Sequence, residues 1–361
     1  MPRSTLVLFK FYTRNYFINH FFPNHVGLQH TSREEVTQRN LLIPNNLFGC
    51  TNISVEQMPV IAICGGTYIF IQKSSNYLYQ KKTYSLHKYD NLIKPFLIVA
   101  CDGYIIDVSG PYAATQTDSE IMKNLFENEN GPMRCFFRSN DVFILDRGFR
   151  DCIPFLESYG YKVFRPESVD EGETQLTTLQ ANKSRCVTLC RWVVEVVNGR
   201  FKRDYKLLRQ IFFNRGSLHL MDDFRIAAAL INRFHPLIQD RPDAQEIISR
   251  ALHFFNEPNY LAQFVQDFNS NRCRTMFCRI DGNLPQLQHF PLLTYNELVL
   301  IALGPYQVKQ ARSFYGEHIR ENGLYLIEMC PHVHVHSLEM VLHIGGNYPF
   351  LIRDLHKNRN F

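Results

Sequence analysis

The stretch Lys94–Tyr112, "KPFLIVACDGYIIDVSGPY", holds two apolar runs that break at Asp102-Gly103. Both runs are rich in β-branched and aromatic residues, and an Asp-Gly pair between such runs is a strong short-range hairpin signal. Working forward, Thr117–Glu120 reads "TDSE", a capping box that opens the short helix "IMKNLFENE". "DVFILDRGF" then gives an apolar run that ends on Asp146, the mark of a central strand with polar groups at its C-terminal end. "RDCIPFLESYG" reads as a short helix with a C-terminal glycine, "YKVFRP" as one more strand, and a polar loop over 167–177 leads to a long helix over about 178–208. Working backward, "VIAICGGTYIFIQKSS", Val60–Ser75, reads as a buried strand interrupted at its centre by Gly65-Gly66. Glycines there mark a bulge or a backbone approached closely by something else. The order strand, hairpin, helix, strand, helix, strand, helix predicts an α/β fold on a mixed sheet with flanking helices.

The totals agree with this frame. A chain of 361 residues with 45% hydrophobic, 13% aromatic and 20% charged residues is neither disordered nor fibrous. Its net charge of +5 is compatible with nucleic acid without pointing to it. Ten cysteines fall short of a disulfide scaffold, and reduced thiols in a cytosolic or nuclear protein are the default expectation. No apolar run is long enough to span a membrane, so no membrane partner is expected. Residues 1–33 contain no Asp or Glu and set Arg3, Lys10, Arg14 and Arg33 among aromatics, which suggests a basic arm or an incomplete helical flank. Three regions are expected: a basic, helical 1–58, an α/β domain over 59–236, and a mixed C-terminal region over 237–361, divided near His235-Pro236.

Two carboxylates stand out. Asp146 ends its strand, where the active sites of open α/β sheets gather; from the residues alone, a helix cap or an ion pair with Arg147 or Arg150 is the simpler account. Glu195 lies in the long helix with Arg191 one turn before it, so an i,i+4 pair is the simpler account. Asp118 reads as a helix cap or a residue at the edge of a site.

Taken together, "GTYIFIQKSSN", "TYSLHKYDNLIKPFLIV", "DGYIIDVSGPY", "DRGFRD", "ANKSRCVT" and "RWVVEVVNGRFK" resemble, in order, the DDE superfamily endonucleases of Harbinger-like transposases, over about residues 60–235. "ELVLIALGPYQVKQARSFYGEHI" and "HVGLQHTSREEV" resemble flanking segments of the same group. The resemblance implies a ribonuclease H-like fold, a DNA substrate, a nuclear location, and either self-association or a separate DNA-binding partner protein. It also implies a pair of Mg²⁺ or Mn²⁺ ions, about 3.5–4 Å apart, acting on a phosphodiester. Hard cations take carboxylate oxygens, and the resemblance assigns Asp146 and Glu195 as the second and third of three acidic ligands and catalytic residues. The first acid precedes Gly-Thr in the opening strand, where this chain has Gly65. The expectation is therefore an endonuclease-like protein of impaired activity, with a catalytically inactive DNA-binding protein as the alternative.

Lys73, His87 and Lys88 in the loop after the first strand, and Arg191, Arg200 and Lys202 on the late helix, are the expected nucleic-acid contacts. "CPHVHVHS" would align His332, His334 and His336 on one strand face with Cys330, and reads as a surface strand rather than a zinc set. Cys186 and Cys190 share a helix face and read as packing residues.

Overall fold

The structure is a computed structural model. It describes residues 3–50, 57–169, 172, 176–256, 267, 278–280, 293–318, 327–330 and 351–354. The chain divides into two compact units, Met1–Ile248 and Ser249–Phe361.

In the first unit, helices α1 (Arg3–Tyr16), α2 (Arg33–Thr37) and α3 (Leu42–Phe48) precede strand β1 (Ile61–Gly66). There follow β2 (Ile69–Phe70), α4 (Tyr77–Thr83), β3 (Tyr84–Ser85), β4 (Asp90–Ala100) and β5 (Ile105–Ala113). Next come α5 (Asp118–Glu127), α6 (Pro132–Phe136), β6 (Val142–Ile144), α7 (Ile153–Ser158) and β7 (Lys162–Phe164), and then α8 (Thr178–Asp204), α9 (Lys206–Arg209) and α10 (Leu220–Phe234).

These strands make one mixed sheet of seven, and the fold is α/β. The expected hairpin is its spine. β4 pairs with β5 antiparallel, and Gly103 turns the corner at φ +82°, a conformation that suits a residue without a Cβ. β4 also pairs antiparallel with β1 and β2, whereas β6 lies parallel to β1, and β7 parallel to β6. The opening strand is not continuous: it breaks at Thr67-Tyr68, so Gly65 and Gly66 form the end of β1 rather than its middle. Both pieces stay beside β4, held across the break by Thr67 N–H donating to the Pro95 carbonyl.

Strand alternation divides the core between the two faces. Val60, Ala62, Cys64, Phe96, Ile98 and Phe143 pack with Ile121, Met122 and Phe126 of α5 and Leu156 of α7. The opposite face meets α8, whose buried residues Cys186, Val187, Cys190, Val193, Val194, Val197 and Phe201 recur at three- and four-residue spacing. Capping boxes at Thr117/Glu120 and Thr177/Gln180 start α5 and α8 where the sequence places them. Burial pushes the Cys186 thiol up to about 11 and raises Cys190 as well, consistent with packing cysteines.

The basic N-terminal segment is tied to one end of the sheet. Arg33 forms two bonds to the Asp141 carboxylate, which also accepts from Val60 N–H and Arg138 N–H. Arg39 pairs with Asp102 at 2.9 Å and stacks over the Tyr104 ring. The β5 edge is covered at Ile105 by Asn232 of α10, whose Oδ1 accepts from Ile105 N–H while Nδ2 donates to the Ile105 carbonyl.

In the second unit, β8 (Cys278–Ile280), β9 (Ile327–Cys330) and β10 (Leu351–Asp354) form a three-stranded antiparallel sheet with β9 central. Two helices, Tyr295–Ile301 and Pro305–His318, complete what is described, the first opened by a Thr294/Glu297 capping box. His332, His334 and His336 lie outside the described residues. No helix among those described is long and apolar enough to cross a membrane.

Candidate functional site

The C-terminal end of β6 and the ends of β1 and α5 open toward one place, and α8 borders it. Asp146 stands two residues beyond β6, where its side chain accepts from Gly148 N–H at 2.7 Å and caps the short 3-10 turn Arg147–Cys152. Glu195 lies on the exposed side of α8, paired to Arg191 at 3.0 Å one turn earlier. Both simple explanations of these acids are thus realised. Tyr68, in the break between β1 and β2, is part-buried, and its hydroxyl is raised first by burial and then by the negative charges of Asp118, Asp146 and Glu195.

Asp118 joins them for a reason its sequence position does not reveal. Thr117 supplies the helix cap, and Asp118 turns inward against the sheet. Lys94 Nζ donates to it at 3.4 Å and to the Gln116 carbonyl at 2.6 Å, and Gly66 N–H donates to it as well. Burial nonetheless dominates and raises the Asp118 carboxyl; the Lys94 charge pulls it down, and Asp146 pushes it up.

The two glycines face opposite ways and meet opposite partners. A Cβ on Gly66 would lie 3.0 Å from Asp118 Oδ1, so a side chain there would displace the carboxylate. A Cβ on Gly65 would point at α8 and lie 3.3 Å from Val194 Cγ2 and 3.5 Å from Cγ1. Val194 precedes Glu195 on α8, so the position of the expected first acid packs against the helix that carries the expected third.

The residues present do not fit a pair of divalent ions. Gly65 offers no oxygen, Asp118 is engaged by Lys94 and Glu195 by Arg191. Among the described residues, no group of three or more His, Cys, Asp or Glu side chains could hold a metal ion. Asp107, on the edge strand β5, is paired opposite Ile98 of β4, and burial pushes its carboxyl up to about 6.

Of the expected nucleic-acid contacts, Lys73, His87 and Lys88 are exposed, and Lys202 is partly so. Lys88 reaches over the Tyr68 ring at 5.4 Å, which joins the loop to the acidic site. Arg200 is buried and donates to the Pro236 carbonyl at 2.8 Å, so it does not face solvent. Sequence reasoning misses Lys94 and Tyr68. The available signal is a lone lysine inside the apolar run "NLIKPFLIVA", which requires a buried counter-charge without naming it.

A family model described as DDE superfamily endonuclease matches residues 64–232, from the end of β1 to α10. No curated protein and no solved structure matches the chain. Members of the family act on DNA and use divalent metals, and the matched segment carries the whole acidic site. Over residues 64–232, therefore, this chain is similar to the DDE superfamily endonucleases.

Proposed function

We propose that this chain is a transposase-derived, endonuclease-like protein that engages DNA in the nucleus and whose own phosphodiester chemistry is impaired. Support for a ribonuclease H-like domain comes from the order β5-β4-β1-β6-β7: an antiparallel trio, then two parallel strands, with helices on both faces. Asp146 and Glu195 are the surviving members of the acidic set, on the strand end and helix that the family resemblance assigns them.

The observation that carries the impaired reading is Gly65 against Val194. A missing ligand with open space beside it could be replaced by water or by a neighbouring acid. Here, among the described residues, the only atoms within 4 Å of that Cβ position belong to Val194, and no carboxylate reaches it. The exposed Lys73, His87 and Lys88, with Lys202, keep a basic surface for phosphate. Self-association or a separate DNA-binding protein would supply target choice.

The test is nicking of supercoiled plasmid in Mg²⁺ or Mn²⁺, alongside salt-dependent retention on duplex DNA. Wild type is expected to bind duplex and to nick at background. Gly65→Asp with Val194→Ala is expected to nick above wild type, and Gly65→Asp alone to gain less because Val194 must give way. Wild-type nicking that Asp146→Ala and Glu195→Ala abolish would establish an active enzyme instead. Failure to retain duplex at low salt would remove the DNA reading altogether.

A further inference from the structure

Two acid-free segments are joined side by side next to the acidic site. Residues 72–89 contain no Asp or Glu and carry Lys73, Lys81, Lys82 and Lys88; residues 205–221 contain none and carry Lys206, Arg209 and Arg215. Phe212 N–H donates to the Phe70 carbonyl at 2.7 Å, Gln72 N–H donates to the Phe212 carbonyl at 3.0 Å, and Asn214 Nδ2 donates to the Lys73 carbonyl at 3.3 Å. All seven cations are exposed, and none has an ion-pair partner among the described residues. Among them, three aromatic rings face solvent: Tyr77 is 75% exposed, Tyr89 80% and Phe213 66%.

Exposed apolar surface rimmed by charged residues marks an interaction site. The same segments also expose Leu78, Leu86, Leu207, Ile211 and Leu218, but seven unpaired cations with no Asp or Glu among them favour a polyanion over a protein partner. Duplex DNA would satisfy the cations but not the rings, since its base faces are already stacked. Unpaired bases satisfy both: their faces stack on aromatics while the phosphates meet lysine and arginine. The surface also runs toward the acids, since Lys88 lies over Tyr68, which feels Asp118, Asp146 and Glu195.

We propose that this surface binds single-stranded DNA, with bases stacking on Tyr77, Tyr89 and Phe213 and phosphates held by the flanking lysines and arginines. The proposal rests on the reading that the domain engages DNA, and it adds an unpaired segment to what is engaged.

The experiment measures fluorescence anisotropy of the full chain with a labelled oligothymidylate of about 15 nucleotides. An abasic strand of equal length and charge, an oligouridylate and a duplex serve as comparison probes. Oligothymidylate is expected to bind at least tenfold more tightly than the abasic strand. Tyr77→Ala, Tyr89→Ala and Phe213→Ala are each expected to weaken it by about fivefold or more, as loss of one base–aromatic stack requires. Lys81→Gln with Lys82→Gln is expected to reduce the salt slope by about 0.7 for each phosphate left without its lysine. Equal affinity for the abasic strand, tighter binding of oligouridylate, or unchanged affinity in all three aromatic variants would overturn the proposal. Loss of duplex binding with oligothymidylate binding intact would instead count against the broader reading and leave this surface standing.

Discussion

Asp141 and Asp146 flank the same short strand, β6, and have opposite fates. Asp141, fully buried, takes two bonds from Arg33 and one each from Val60 and Arg138 N–H, so its oxygens are saturated by the fold. Asp146, at the other end, has one bond to its own turn and is left partly open. The sheet is therefore closed at one end by the N-terminal segment and leaves Asp146 partly open at the other. A carboxylate's sequence neighbours, "NDVF" and "ILDR", do not tell these cases apart; what does is whether a distant cation returns to it.

The largest effect should come from the closed end. Asp141→Ala strands a nearly buried Arg33 and leaves the Val60 and Arg138 N–H groups without their acceptor, so a loss of about 3–5 kcal/mol in urea unfolding is expected. Asp146→Ala removes a cap and should cost about 1 kcal/mol. Equal losses at the two positions would break the contrast.

Asp107 belongs to neither end and should show a pH dependence of its own. Its carboxyl is pushed up to about 6 in the fold, above its unfolded value, so its charged form costs stability. That cost is absent below about pH 4, grows through the interval and is complete above about pH 6. Asp107→Asn should thus stabilise by up to about 3 kcal/mol at neutral pH, with the gain gone in acid. A gain independent of pH would show that its charge is not the cause.

Lys94→Met probes the open end from beneath. It leaves Asp118 buried without its counter-charge, at an expected cost of about 1–3 kcal/mol at neutral pH. Removing the ammonium raises the Asp118 carboxyl further, so the penalty should shrink as the pH falls. The smallest effect belongs to Glu195→Gln, which loses an exposed i,i+4 pair worth about 0.3–0.5 kcal/mol in thermal unfolding. A cost as large as that of Asp141→Ala would mean that Glu195 is structural.

Much of the α/β frame is legible in the sequence because its signals are local: Asp102-Gly103 for the hairpin and Thr117–Glu120 for the start of α5. What escapes depends on interactions across the sheet. Asp118 reads as a cap because capping is decided within four residues, whereas its burial against Gly66 and Lys94 is set by sheet register. Arg200 reads as part of a basic helix face, but the α8 stripe turns it inward to Pro236. Arg33 reads as part of a basic arm, and its partner lies 108 residues away.

The Asn232 side chain at the β5 edge bears on assembly. Its amide presents a donor and an acceptor to Ile105, as the peptide group of an adjoining strand would, and it also donates to the His25 carbonyl. One residue thereby ends the hydrogen-bond ladder at that point and ties the edge to two other parts of the unit. A second copy cannot extend the sheet through Ile105 without displacing it, so any dimer must form elsewhere or begin by expelling an asparagine.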